Sequence, residues 1–154
     1  MKKSVLVLIL ATVLLAAGCA NKTANAAQSV FPEHDISTKL DDYMTSVQEQ
    51  SDTIQHFLEH DALTQADMNV KSQELYELWD EALNYLWNEL KISLSGEEFA
   101  PLQDEQRLWI AEKEKAMEEA GKEFEGGSIY PLVVNSEAAR LTQERVYQLY
   151  ELLK

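Results

Sequence analysis

Apolar residues recur at three- and four-residue steps through most of this chain, the spacing of amphipathic helices. Ile36, Leu40, Tyr43, Val47, Ile54 and Leu58 form a first stripe, which predicts a helix over 36–59. His60, Asp61 and Ala62 make a turn. Thr64-Gln65-Ala66-Asp67 then has the spacing of a capping box, a hydroxyl followed three residues later by an acid. A second helix is predicted over 65–93. Met68, Leu75, Trp79, Ala82, Leu86 and Leu90 form its main stripe, and Tyr76, Leu83, Trp87 and Leu94 widen one flank. A helix apolar over so wide an arc touches more than one neighbour, which makes this one central.

Ser95-Gly96-Glu97-Glu98 interrupts the pattern and can cap a short turn. Pro101 suits a first helical turn and not a helix interior, so the third helix is predicted over 101–125. Leu102, Trp109, Ala116, Met117, Ala120 and Phe124 face inward on it. Gly126-Gly127 stops it, since glycine tolerates the left-handed conformation of a helix end. Residues 128–131 read as a loop. Asn135 or Ser136 caps a fourth helix that continues to the C-terminus on a stripe of Ala138, Leu141, Leu149, Leu152 and Leu153. No strand pattern is convincing. The expected fold is all-α, an antiparallel bundle of about four amphipathic helices in one domain over 36–154.

The N-terminal segment departs from this period. Lys2 and Lys3 precede an apolar run from Val5 to Ala17, shorter than the roughly 20 residues that span a bilayer. A basic start, a short apolar core and small residues at its end predict an export signal over 1–18. Leu15-Ala16-Ala17-Gly18-Cys19 resembles the bacterial lipobox, which implies cleavage before Cys19 and a lipid on its thiol. Cys19 is the only cysteine, so no intrachain disulfide can form. Two or more acyl chains anchor a protein firmly where one does not. Residues 19–35 then read as the lipidated cysteine and a small, polar tether. The expected location is the cell membrane or outer membrane, on the extracytoplasmic side.

Charge narrows the partners. The chain has 13 basic and 27 acidic residues and a net charge of −14. Loss of residues 1–18 removes two lysines and no acid, so 11 basic residues face 27 acids, a net charge of −16. Such a chain repels nucleic acid and attracts cationic proteins.

Four polar residues fall on apolar stripes. At 100° per residue, Gln106 and Lys113 lie among Leu102, Trp109 and Ala120, while Thr142 and Arg145 lie inside the stripe of the fourth helix. A buried charge needs a partner. Glu114, Glu144 and the loop carbonyls near Gly126, Gly127 and Ser128 are the expected ones. Such residues either fix helix register in a satisfied polar network, extend to the surface along their apolar stems, or shape a recognition groove.

The same residues carry a family resemblance. Thr64-Gln65-Ala66-Asp67-Met68-Asn69, Leu83-Asn84 with Trp87, Gln106-Arg107-Leu108-Trp109, Gly126-Gly127-Ser128, and the pair Thr142 and Arg145 occur in the order seen in LprI-type lysozyme-inhibitor domains. The resemblance spans residues 64–153 and leaves the first helix outside. It implies a small helical envelope protein that binds and inhibits lysozyme. It also implies binding roles for Gln106, Trp109, Lys113, Gly126, Gly127, Ser128, Thr142 and Arg145. The chain departs from the family at two places. Lys113-Glu114 stands where an arginine–aspartate pair is common, which loses the guanidinium fork. Lys71 and Met117 stand near positions that often carry cysteines. These departures support a shared fold more than a shared partner.

Animal lysozymes are generally basic, so opposite charge would steer the two together. Lysozyme works with two carboxylates in a cleft. The 126–131 loop, beside Glu118, Glu119, Glu123 and Glu125, is the expected plug for that cleft. A different class of function, a structural or adaptor lipoprotein binding another wall component or protein, fits the same features. A weak divalent-metal scavenger is a third reading.

Other chemistry finds little support. His56 and His60 share a helical face, but His-Phe-Leu-Glu-His lacks the glutamate directly after the first histidine that zinc proteases use. Their place at a helix C-terminus suits the dipole. No nucleophile elbow and no phosphate-cradling glycine loop occurs. No enzymatic role, cofactor or metal is expected.

Overall fold

The computed structural model describes residues 33–154, with side chains from Ser37 onward. The expected signal peptide, Cys19 and most of the tether lie outside the described residues. Four helices follow in order: α1, Glu33–His60; α2, Gln65–Ser93; α3, Gly96–Gly121; and α4, Tyr130–Glu151. A single 3-10 turn, Lys122–Phe124, extends the end of α3. No strand occurs among the described residues.

The Thr64 box forms as the spacing predicts. Thr64 Oγ1 accepts from the Asp67 backbone N–H, and Asp67 accepts from the Thr64 backbone N–H at 3.1 Å. α2 therefore has the predicted bounds. α3 does not. Ser95 and Glu98 form a second capping box, which starts α3 at Gly96 rather than at Pro101. Pro101 sits in the second turn, where its missing N–H leaves the Glu97 carbonyl without its helical donor. α3 ends at Gly121, not at 125, and α4 begins at Tyr130, ahead of the expected Asn135 or Ser136 cap. Pro131 lies in the first turn of α4, where a missing N–H costs nothing. Gly126 supplies the left-handed residue between them, at φ +75°.

Consecutive helices run antiparallel, so α2 and α4 are parallel. Their seam is the most extensive in the molecule. Ser72 meets Asn135, and the Trp79 ring meets the Tyr147 ring. Ala82, Ala138 and Ala139 are buried and let the two helices approach. α1 flanks this pair on one side and α3 on the other. Leu40, Met44 and Val47 of α1 and Leu75, Trp79, Leu86 and Leu90 of α2 join Val146, Leu149 and Tyr150 of α4 in one core. Trp79 is fully enclosed, and its indole N–H donates to Ser51 Oγ on α1 at 3.2 Å. Burying such a side chain contributes roughly 1.5–3 kcal/mol, and the hydrogen bond removes the penalty its N–H would otherwise carry.

α3 contributes less apolar surface than its stripe predicts. Its buried residues are Leu102, Gln106, Lys113 and Gly121. Trp109, Ala116, Met117 and Ala120 are only half-buried, and Phe124 is exposed. Near its end α3 presses closely on α4. A Cβ on Gly121 would stand 2.7 Å from both Tyr130 Cε2 and Val134 Cγ2.

Candidate functional site

α3 packs along α4 and reaches α2 mainly through side chains. Phe99 meets Trp87 with ring centroids 4.9 Å apart, and Lys113 reaches Tyr76. Between these contacts a groove of about 400 Å³ opens. Tyr76, Asp80, Asn84 and Trp87 form the α2 wall. Gln106, Trp109, Lys113 and Glu114 form the α3 wall. The helical period explains both walls, since Tyr76, Asp80, Asn84 and Trp87, and likewise Gln106, Trp109 and Lys113, recur at three- and four-residue steps, with Glu114 beside Lys113.

Polar residues of α3 and α4 meet behind this groove. Arg145, 4% exposed, donates from Nε to Gln106 Oε1 at 2.8 Å. Its Nη1 donates to Glu105 Oε1 at 2.6 Å and to Gln148 Oε1 at 2.9 Å. The guanidinium carbon lies 5.9 Å from the centre of the Trp109 ring. Arg145 Nη2 and Thr142 Oγ1 are buried without a hydrogen-bond partner. Lys113, 9% exposed, has its Nζ 5.0 Å from the Trp109 ring and 5.2 Å from the Tyr76 ring. It also donates to Tyr76 Oη over a long 3.4 Å.

All four polar stripe residues are therefore buried, as their helical angles predict, but with other partners. Glu105 and Gln148 serve Arg145, in place of Glu114 or Glu144. Glu144 instead pairs with Arg140 at 2.7 Å. Two aromatic rings hold Lys113, and no loop carbonyl takes part. Arg140 also binds Glu137, and those hydrogen bonds hold the Glu137 carboxyl below the usual carboxylate range.

The eight predicted site residues divide. Gln106, Trp109 and Lys113 line the groove, Arg145 braces it from behind, and Thr142 is buried one turn before Arg145 without lining it. Gly126, Gly127 and Ser128 do not line it. They form an exposed turn at the end of the bundle, where the Ser128 carbonyl accepts from Asn69 Nδ2 at 2.9 Å. Gly127 N–H donates to the Phe124 carbonyl and Tyr130 N–H to the Gly127 carbonyl, which fixes the turn. Asp80 and Asn84 were not singled out as site residues. Asn84 donates to the Asp80 carbonyl at 2.8 Å and to Asp80 Oδ2 at 3.1 Å. Their signal was the aromatic flank beside them, Tyr76 and Trp87.

His56 and His60 stack at 4.5 Å, with His60 Nδ1 3.2 Å from the His56 carbonyl oxygen. Among the described residues no group of three or more His, Cys, Asp or Glu side chains is placed to hold a metal ion.

The site is thus a polar brace between α3 and α4 behind an aromatic groove between α2 and α3. Residues 59–149 match the family described as lysozyme inhibitor LprI. The chain belongs to that family. The match begins at the last turn of α1 and covers α2, α3 and most of α4. The chain is also similar to uncharacterized protein R02472 of Rhizobium meliloti (strain 1021), at 27% identity over 106 residues, 60% of this chain and 76% of that protein. No solved structure matches it.

Proposed function

We propose that this chain binds and inhibits a basic lysozyme from a lipid anchor at Cys19, on the extracytoplasmic side of a bacterial envelope. The family match over 59–149 carries this reading. Charge supports it, because loss of residues 1–18 leaves 11 basic residues against 27 acids, and a net charge of −16 draws a cationic enzyme and speeds its encounter. The contact surface that suits a cleft best is the turn at Gly126, Gly127 and Ser128. It protrudes between α3 and α4, and its own hydrogen bonds pin it, so little order is lost on docking. Glu118 and Glu119 in the last turn of α3, with Glu123 and Glu125 beyond it, are exposed. Lys122, directly after that turn, stands 3.8 Å from Glu119, and the four acids still outnumber it. Carboxylates at a helix C-terminus oppose the dipole, so a cationic partner would relieve them.

The direct test mixes the purified chain with a basic animal-type lysozyme and follows clearance of bacterial cell walls. An unrelated basic protein and two salt concentrations are the controls. Saturable inhibition that persists at about 0.15 M salt, where the screening length is about 8 Å, supports the reading. Binding that treats both basic proteins alike would show a solvated acidic coat, and the adaptor reading would then replace inhibition. Replacing Gly127 and Ser128 by bulkier residues tests the turn separately. Undiminished inhibition in that variant would move the contact elsewhere.

A further inference from the structure

Lys113 is an almost fully buried ammonium that faces the groove without a counter-ion. It has three donors. One makes the 3.4 Å contact with Tyr76 Oη, and among the described residues no carboxylate lies within ion-pairing distance. The faces of Trp109 and Tyr76 hold the charge in place. They do not neutralise it. The same Trp109 ring carries the Arg145 guanidinium. Two of only 13 basic residues in a chain of charge −14 are thus buried around one ring. Arg145 is paired with the exposed Glu105, whereas Lys113 has no carboxylate partner among the described residues.

The rest of the groove has a different character. Trp87 and Trp109 are half-buried and present ring surface. Asn84 and Gln106 bring amides, and Asp80 and Glu114 bring acceptors. Flat aromatic surface beside amides and carboxylates suits a ring with an apolar face and hydroxyl edges. The volume lies in the range of small-ligand sites.

We infer that the groove between α2 and α3 binds a carboxylate-bearing sugar, its carboxylate paired with Lys113 and its ring against Trp87 and Trp109. Ring hydroxyls donate to Asp80, Glu114 and the Asn84 side-chain carbonyl and accept from the Gln106 amide. The two acids admit a single carboxylate and turn away ligands of higher negative charge. This site lies apart from the Gly126–Ser128 turn and does not depend on lysozyme binding.

The experiment titrates the purified chain with N-acetylmuramic acid and with its methyl ester, read by tryptophan fluorescence and calorimetry. The two ligands share every ring group and differ at the carboxyl, charged in one and capped by a methyl in the other. The acid should saturate at millimolar concentration or below and bind about tenfold tighter than the ester, the scale of one charge-assisted hydrogen bond. Lys113→Met should erase that preference, while Lys113→Arg should retain it. The melting temperature of each variant checks that the fold is intact. Benzoate, a carboxylate on a flat ring without hydroxyls, should bind about tenfold more weakly than the acid sugar. Equal binding of acid and ester, an unchanged preference in Lys113→Met, or no saturation by the acid would overturn the proposal. Benzoate binding as tightly as the acid sugar would remove the sugar from it.

Discussion

Arg145 on α4 and Gln106 on α3 share a 2.8 Å hydrogen bond in a place almost closed to solvent, and this bond ties the two helices behind the groove. Removing only Gln106 leaves a buried guanidinium donor without its acceptor. Gln106→Ala should therefore lower stability by about 2 kcal/mol. In an Arg145→Met background, where no charge is left behind, the same change should cost less than about 1 kcal/mol. Denaturant melts of the four proteins give the coupling. Equal costs in both backgrounds would mean that the bond contributes nothing.

Thr142 gives the opposite expectation. Its hydroxyl is buried without a partner, so the fold carries its desolvation cost with nothing in return. Thr142→Val substitutes a methyl of the same shape and should raise stability by about 1 kcal/mol. A fall in the denaturation midpoint would reveal that the hydroxyl is bonded in solution.

Three glycines should respond differently to alanine. Gly121→Ala drives a methyl into Tyr130 and Val134 at 2.7 Å and should cost about 1–3 kcal/mol, despite the better helix propensity. Gly126→Ala should cost about 1–2 kcal/mol because φ is +75° there, although nothing lies within 4 Å. Gly96 has neither constraint, and Gly96→Ala should be neutral or mildly stabilising. Thermal melts of the three variants check the order.

The Ser95 box predicts a pH dependence. The hydroxyl and then the backbone N–H of Ser95 hold the Glu98 carboxyl below the usual carboxylate range. A depressed folded value means the contribution is present above the unfolded value and is lost as pH falls through the folded one. Glu98→Gln keeps a cap but removes the charge. The melting-temperature difference between the two proteins should favour the natural chain at pH 7, shrink below about pH 4 and vanish near pH 2. Taking the difference cancels the effect of protonating the other acids. A difference that does not change with pH would assign the box no electrostatic part.

Cys19→Ser tests the anchor. In a bacterial host the natural chain should partition with membranes and gain the mass of its acyl chains. The variant should lose both, since the apolar run at 5–17 is too short to hold a bilayer as a span. Membrane retention of the variant would sink lipidation at this residue.

Much of the fold was legible because helix stripes and the Thr64 box are local patterns. The start of α2 is legible, for Thr64 and Asp67 need nothing beyond their own turn. α3 was misplaced because two local signals disagreed. Pro101 pointed to a start and the Ser95–Glu98 box to an earlier one. The box prevails, since it satisfies the first amides while the proline removes only one helical donor on an exposed face. The start of α4 was missed because Tyr130 and Pro131 resemble a loop until their packing against Gly121 is seen. Helical angle correctly placed Gln106, Lys113, Thr142 and Arg145 inside the fold. It could not name their partners, because angle fixes a face and not the neighbour across it. Trp109 shows the same limit. It was expected in the core but borders the groove, because α3 packs along α4 and stands off from α2.

The attachment of α1 has a mechanical consequence. α1 lies almost wholly outside the family match, and Asp41, Gln48 and Ser51 link it in turn to Tyr150, Tyr147 and Trp79. Tension applied at the N-terminal end of α1 would reach these links one at a time, as a zip is opened, rather than all together. The first helix would peel from its N-terminal end inward, and of these three links the Trp79 indole would be the last released.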